Sequence, residues 1–395
     1  MRHMTKALVD LGHEVDVVSG PPYPDLDPRV RLIKLPSLDL YTKPKNWLGI
    51  PSLPKKVGRD WIDVKEWLIH ISGGFGEPYT FGERLARFLK DRAGDYDVLH
   101  DNQVLAWGLI KIQEMGLPVM GMIHHPITKD RDIAIAAANT LKLKLLIRRW
   151  HSFLNMQIKV ARRLNHLIVV SESTKRDVAT EFGVDPARMH LVLHGINAAQ
   201  FRPLPHIERK TNRIMAVASA DVALKGLVYL IRAYAILLKR YPDLELVVVS
   251  KLREGPTSRL LDELGIRDKV QFVTGISDER MTEMYAEATV AVSPSVYEGF
   301  GFPCGEAMAC GAPVLATTGG SLPEVVGDAG IVVEKQNPEA MADGIARYLD
   351  DPALRAEMGA KGMKRIHDRF LWSRCAEDAV AVYKRAILDA DRPAR

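Results

Sequence analysis

Ala288-Thr289-Val290-Ala291-Val292-Ser293-Pro294-Ser295, followed by Glu298-Gly299-Phe300-Gly301-Phe302-Pro303-Cys304-Gly305-Glu306, decides how this chain folds. The first eight residues are a short apolar run closed by turn formers, which reads as a buried strand. The glycines therefore sit at a strand's carboxyl end. Pro303 suits the first helical position, where its missing N–H costs nothing, and Gly311 suits a left-handed stop, so a helix of about two turns is predicted. Four unsatisfied N–H groups should point into the turn. With the helix dipole, equivalent to roughly half a positive charge, they make a site for an anion such as a diphosphate. Glu306, in the first turn, has acceptor oxygens only, so it suits a pair of sugar hydroxyls better than a charged phosphate. Glu298, at the strand end, faces the same space. Amides for phosphate and separated carboxylates for hydroxyls describe a nucleotide-sugar site. An N-capped helix with two solvated glutamates fits the spacing equally well.

The same layout occurs twice. Asp97-Val98-Leu99-His100, a loop, a helix-like Ala106 to Met115, then Gly116-Leu117-Pro118-Val119 opening a strand that stops at His124, form one strand–helix–strand unit. The strand before Ser293, the helix from Pro303, and Gly311-Ala312-Pro313-Val314 opening a strand that stops at Thr317-Thr318 form the other. Such alternation implies an α/β chain with parallel sheets covered by helices. Two domains are expected: 1–195, closing through Leu167-Ile168-Val169-Val170-Ser171 and a capped helix from Ser173, and 196–370, beginning at Arg213-Ile214-Met215-Ala216 with further strands at Leu244 to Val249 and Lys269 to Val273. Residues 371–395 read as a C-terminal helix crossing back to the first domain. Ligands of open parallel sheets bind beyond the carboxyl ends of the strands. Two sheets facing one another would set His124 and the Glu298 turn on opposite walls of one cleft.

Length agrees with two domains, since 395 residues is about twice the usual domain size. Cys304, Cys310 and Cys375 form neither a C-x-x-C pair nor an even framework, which favours a reducing compartment and disfavours structural zinc. No apolar run approaches the ~20 residues of a spanning helix, and no signal-peptide core opens the chain, so a cytoplasmic protein is expected. A net charge of +5 without a nucleic-acid motif gives no reason to expect a nucleic-acid partner.

The turn, with Ala307 to Val314 and Gly319-Gly320-Ser321-Leu322-Pro323-Glu324-Val325-Val326 behind it, resembles the donor-site signature of the retaining family 4 glycosyltransferases of the GT-B fold. Val170-Ser171-Glu172-Ser173, His194-Gly195-Ile196-Asn197 and Phe370-Leu371-Trp372-Ser373 also sit where that family has counterparts. The resemblance implies transfer of a hexose from a UDP- or GDP-linked donor to a hydroxyl acceptor (a glycan, lipid or small molecule) with retention and without a metal or other cofactor. It implies that Glu306 bonds the nucleotide ribose, that the amides of Phe300, Gly301 and Phe302 hold sugar and diphosphate, and that Glu298 contacts the sugar hydroxyls. Lys225 matches the lysine that neutralises the diphosphate, Thr274-Gly275-Ile276 the backbone that holds the base, and His124 the acceptor-domain histidine close to the transferred sugar. His124 and Glu298 are thus the catalytic candidates. A GT-B phosphorylase or epimerase, or a non-catalytic nucleotide-sugar-binding protein, are the alternative readings.

The chain departs from the family pattern in two places. It opens inside the helix that should follow the family's first strand and glycine-rich loop, which puts acceptor binding in question. Ser219-Ala220 stands where relatives carry Gly-Arg, and Lys251 or Arg253 could supply the missing charge beside Ser219. Asp25-Leu26-Asp27, Asp130-Arg131-Asp132 and Asp389-Ala390-Asp391 have the form metal-dependent transferases use, but none follows a clear buried strand. The stretch 141–164 carries seven Lys or Arg and no acid, interleaved with Trp150 and Phe153. It suits a helix on an anionic membrane surface at the inner face of the membrane, with Lys43, Lys45, Lys55, Lys56 and Arg59 adding charge. An ordinary domain helix with its apolar face in the core fits the same pattern.

Overall fold

Continuous apolar runs of four or five residues, too short for helices and flanked by Gly and Pro, become buried strands, and every strand pairing among the described residues is parallel. A computed structural model describes residues 1–40, 60–219 and 222–390. Lys43, Lys45, Lys55, Lys56, Arg59, Ala220 and Asp391 lie outside the described residues. The chain divides into two α/β units, one of Met1–Val170, Thr174–Val192 and Cys375–Arg395, the other of Ser171–Ser173 and Leu193–Arg374. Each is Rossmann-like, the α/β class expected for a GT-B chain.

In the first unit β1 (Asp16–Ser19) pairs with β2 (Arg31–Lys34), and β3 (Leu99–Asn102), β4 (Val119–Ile123), β5 (His166–Val169) and β6 (Met189–Leu191) form a separate four-stranded sheet in that order. All of β4 and β5 is buried. Leu105, Leu109, Ile112, Leu164, Leu167 and Phe182 pack around them, each at 1% exposure or less. The basic stretch 141–164 is not one helix. It forms the helix Leu141–Trp150, a 3₁₀ turn His151–Phe153 and the helix Leu154–Ala161. The second helix buries Leu154, Met156 and Val160, and is an ordinary core helix, whereas the first buries nothing.

In the second unit β7 (Arg213–Ala216), β8 (Glu245–Val249), β9 (Val270–Val273), β10 (Val290–Ser293), β11 (Val314–Thr317) and β12 (Ile331–Val333) form one sheet in the order β12-β11-β10-β7-β8-β9. The order reverses between β7 and β10, which pair directly with Ala216 opposite Val292. Loops leaving neighbouring strands in opposite directions open a crevice at such a point. Tyr234 and Tyr348 fill the core behind it, and their hydroxyls donate to Leu244 O (2.7 Å) and Val314 O (3.0 Å), so neither buries an unpaired polar atom. The helix Trp372–Ala390 contributes Cys375 onward to the first unit.

Candidate functional site

The loop after β10 is held in place before any ligand enters the argument. Gly301 adopts φ 97° and caps the helix Phe302–Ala309, and Gly311 adopts φ 71° just beyond it. Pro303 stands at the second helical position, not the first. The expectation of four unsatisfied N–H groups is also corrected. Pro303 has none, and the amides of Cys304 and Gly305 donate back to Gly301 O at 3.1 and 3.3 Å. The N–H groups of Phe300, Gly301 and Phe302 are left, with no acceptor among the described residues. Three consecutive amides, two of the loop and one of the first helical residue, are therefore open to an anion, rather than the four of the helix's first turn.

Lys225 lies in the 3₁₀ turn Ala223–Lys225 that follows β7, and the switch point brings it to Glu298. Its Nζ donates to Glu298 Oε1 at 2.7 Å, and the Ser295 hydroxyl donates to the same oxygen at 2.8 Å. The loop after β10 is locked by backbone on two sides: Val296 N–H donates to Leu224 O (2.8 Å) of the turn after β7, and Ser321 N–H of the loop after β11 donates to Glu298 O (3.0 Å). This contact requires glycine at two places. A Cβ on Gly226 (φ 63°) would lie 2.1 Å from Pro294 O, and one on Gly320 (φ 64°) 2.2 Å from Glu298 O. The side chain of Glu298 is 13% exposed and that of Lys225 30%, so the pair is half-sheltered and faces solvent through the lysine.

Glu306 is half-buried one turn into the helix and accepts from the Tyr285 hydroxyl at 3.2 Å. Burial pushes its carboxyl up to about 7, against the lowering bond from Tyr285. Ser219, Lys251 and Thr274-Gly275-Ile276 follow β7, β8 and β9, along the carboxyl edge of the same sheet. Ser219 and Lys251 are exposed, and Gly275 takes φ 67° in open space. None of these three positions has a contact with the Lys225–Glu298 pair among those seen. Phe300 is buried against His194 and Phe370, and Phe302 stacks on Trp372 with ring centres 6.4 Å apart. These rings fix the loop from below while its amides stay open.

In the first unit β4 ends at Ile123, and His124 and His125 point apart. His124 Nε2 lies 2.9 Å from Asn102 Oδ1, and His125 Nε2 2.9 Å from Asp130 Oδ2. Burial, then the neighbouring His100 and His125, draw the His124 imidazole down to about 4. It is a neutral ring at physiological pH. Its backbone is clamped by Gln103 on the adjacent strand end, whose Oε1 accepts from His124 N–H (2.6 Å) while its Nε2 donates to His125 O (2.7 Å). Gln103 itself takes φ 66°, and Asp101 supports that turn by accepting from Leu105 N–H at 3.0 Å. Burial raises Asp101 to about 7.

Sequence reasoning overlooked Asp101, Asn102, Gln103, Ser295 and Tyr285. The first three were legible as polar residues at the carboxyl end of a predicted strand, where open parallel sheets bind ligands. Of the D-x-D pairs, Asp27 is held by Arg29, Asp130 by His125 and Asp132 by Arg131. Among the described residues no cluster of three or more His, Cys, Asp or Glu could hold a metal ion.

Known proteins share this fold. The model of glycosyltransferase family 4 matches residues 1–200, and that of glycosyl transferases group 1 matches residues 203–365. An MMP α-(1→4)-mannosyltransferase of Mycolicibacterium hassiacum is 45% identical over 98% of this chain and 94% of its own length. A D-inositol 3-phosphate glycosyltransferase of Streptomyces griseus is 28% identical over 77% of this chain and 70% of its own. Among solved structures, sucrose-phosphate synthase from Thermosynechococcus elongatus superposes with a TM-score of 0.72 at 22% identity, covering 98% of this chain and 92% of that one. An Anabaena protein (Alr3699/HepE) solved with UDP gives 0.62 at 17% identity, over 76% and 82% of the two chains. These two likenesses are of fold.

Proposed function

This chain belongs to glycosyltransferase family 4, and we propose that it transfers a hexose, mannose in the first instance, from a nucleoside diphosphate donor to a hydroxyl acceptor with retention of configuration and without a metal. The observation that carries this reading is the Lys225–Glu298 pair beside the three open amides of Phe300, Gly301 and Phe302 at the switch point of the second unit. The amides and Lys225 receive the diphosphate. Lys225 has three N–H donors, so it can serve a phosphate oxygen while still bonded to Glu298. Glu298 and Glu306 accept from donor hydroxyls, Glu298 from the sugar and Glu306 from the ribose. The similarity to the α-(1→4)-mannosyltransferase supports mannose and an α-(1→4) product.

In the transfer step the acceptor oxygen bonds to the anomeric carbon as the bond from that carbon to the diphosphate oxygen breaks. The hydroxyl proton passes to the departing diphosphate, whose charge Lys225 and the loop amides stabilise. Neutral His124 positions the sugar by hydrogen bonding rather than by charge. Lys251 supplies further charge for phosphate. The helix Leu141–Trp150, with Leu141 70% and Leu145 54% exposed beside four basic residues, supports work at an anionic membrane surface and a lipid-linked or glycan-precursor acceptor. No helix among the described residues is long and apolar enough to cross a membrane.

The test is turnover of UDP- and GDP-linked mannose and glucose, with and without EDTA, with the product anomer read by NMR. An α-linked product and indifference to EDTA are expected. A β product, loss of activity with EDTA, or no turnover of any donor overturns the corresponding part of the reading. Flotation with anionic and zwitterionic vesicles tests the membrane part, and absence of binding to both sinks it.

A further inference from the structure

Lys144 and Arg148 are one turn apart on the helix Leu141–Trp150, and His151 and Asn155 continue the same line through the 3₁₀ turn into the next helix. Opposite them stand Arg131 and Asp132 of the helix Ile127–Ala137, and the two walls enclose a cavity of about 580 Å³ within the first unit. That volume falls within the roughly 300–1,000 Å³ of small-molecule sites. Its one acid, Asp132, is already taken by the Arg131 guanidinium at 2.8 Å. Lys144 and Arg148 have no acid partner among the described residues. The His151 Nδ1–H donates to Ile147 O at 2.8 Å, which leaves Nε2 to the cavity.

Like charges four residues apart on a helix repel each other, and the one carboxylate on these walls, Asp132, pairs with Arg131 instead of with them. A concave wall of ammonium, guanidinium and carboxamide donors matches a tetrahedral oxyanion with several acceptor oxygens, and the planar guanidinium can grip two of them at once. The cavity is far larger than the ion, so it can also hold whatever carries the phosphate.

We propose that this groove, walled by Lys144, Arg148 and His151 on one side and Arg131 on the other, is a binding site for the phosphate group of a phosphorylated ligand, separate from the donor site of the second unit. The phosphate chemistry is the same for a soluble phosphate ester and for a phospholipid headgroup. The site does not depend on donor identity or on catalysis.

The test titrates the full chain with inorganic phosphate at constant ionic strength, following the melting temperature and the heat of binding, and separately floats it with phosphatidylglycerol and phosphatidylcholine vesicles. Three variants are compared: Lys144→Gln with Arg148→Gln, the control Lys142→Gln with Lys159→Gln, which removes equal charge from exposed positions of the same two helices, and Lys225→Ala, which disables the other phosphate-binding lysine. Saturable phosphate binding that survives Lys225→Ala and the control pair, but weakens about tenfold or more in the Lys144/Arg148 pair, supports a phosphate-ester site. Flotation with phosphatidylglycerol alone, lost in the same pair only, supports a headgroup site. If neither probe distinguishes the Lys144/Arg148 pair from the control pair, the groove is not a phosphate site. Loss of the response in Lys225→Ala alone assigns it to the donor site and likewise overturns the proposal.

Discussion

At the scale of single residues, the environment of each side chain decides its chemistry more than its identity does. Glu306 and Glu298 are both glutamates beside one loop, yet Glu306 is pushed up to about 7 by burial while Glu298 is committed to Lys225 and Ser295. A carboxyl raised in the folded state stabilises the fold only while protonated. The Glu306 contribution is fully present below about 4.5, the unfolded value, and is lost as the pH rises through about 7. Glu306→Gln should therefore gain stability relative to the parent at pH 8, on the order of 3 kcal/mol, and lose that advantage at pH 4.5 and below. Chemical denaturation at the two pH values checks this. The same variant should bind nucleotide more weakly, since the amide offers one acceptor oxygen in place of two. Lys225→Ala should lower turnover about a hundredfold and weaken nucleoside diphosphate binding together. His124→Ala should lower turnover about tenfold or more while leaving nucleotide affinity unchanged, because it belongs to the other unit. Calorimetry beside steady-state assays separates the two, and a loss of nucleotide affinity in His124→Ala would remove it from its acceptor-side role.

At the scale of elements, the donor loop is shaped by close backbone approach between the turns after β7 and β10. Gly226→Ala sets a methyl 2.1 Å from a carbonyl oxygen at φ 63°, so the two turns must separate. Gly265→Ala carries a similar φ of 65° with nothing within 4 Å, and bears the strain alone. The expected cost is about 1 kcal/mol for Gly265→Ala and roughly 2–3 kcal/mol for Gly226→Ala, which should also lose nucleotide binding. Equal melting temperatures for the two variants would show that the contact between the turns does not matter. The strand ends themselves were legible in the sequence because a short apolar run stopped by Gly or Pro has few other fates. The basic stretch 141–164 was not, since residues with interleaved Lys, Leu and Arg satisfy a surface helix and a core helix alike, and only the neighbours of Phe153, Met156 and Val160 chose between them.

At the scale of the whole molecule, the last helix belongs to the first unit, where Cys375, Ala376, Ala379, Val382, Tyr383 and Ala386 are buried and the Tyr383 hydroxyl meets His100 Nδ1 at 2.5 Å. Ending the chain after Arg374 should expose that apolar surface, lowering the melting temperature of the first unit and leaving the second folded and able to bind nucleotide. Calorimetry should then resolve two transitions where nucleotide raises only the upper one. A single transition with loss of nucleotide binding would show that the second unit depends on this helix.

The sequence by itself determined the α/β class, the parallel strands and the donor turn, because strand periodicity, glycine and proline act over a few neighbouring residues. It also marked Glu298 at a strand end and Glu306 in the helix turn that follows, while His124 and Lys225 were marked by resemblance to the family. Only the tertiary structure decided that Lys225 pairs with Glu298, that Gln103 clamps His124, that three amides rather than four remain open, and that Lys144 and Arg148 face a cavity whose one carboxylate is held by Arg131. Each of these joins residues brought together by the order of strands in a sheet or the packing of two helices, and pairings set by burial across the fold leave no trace in local spacing.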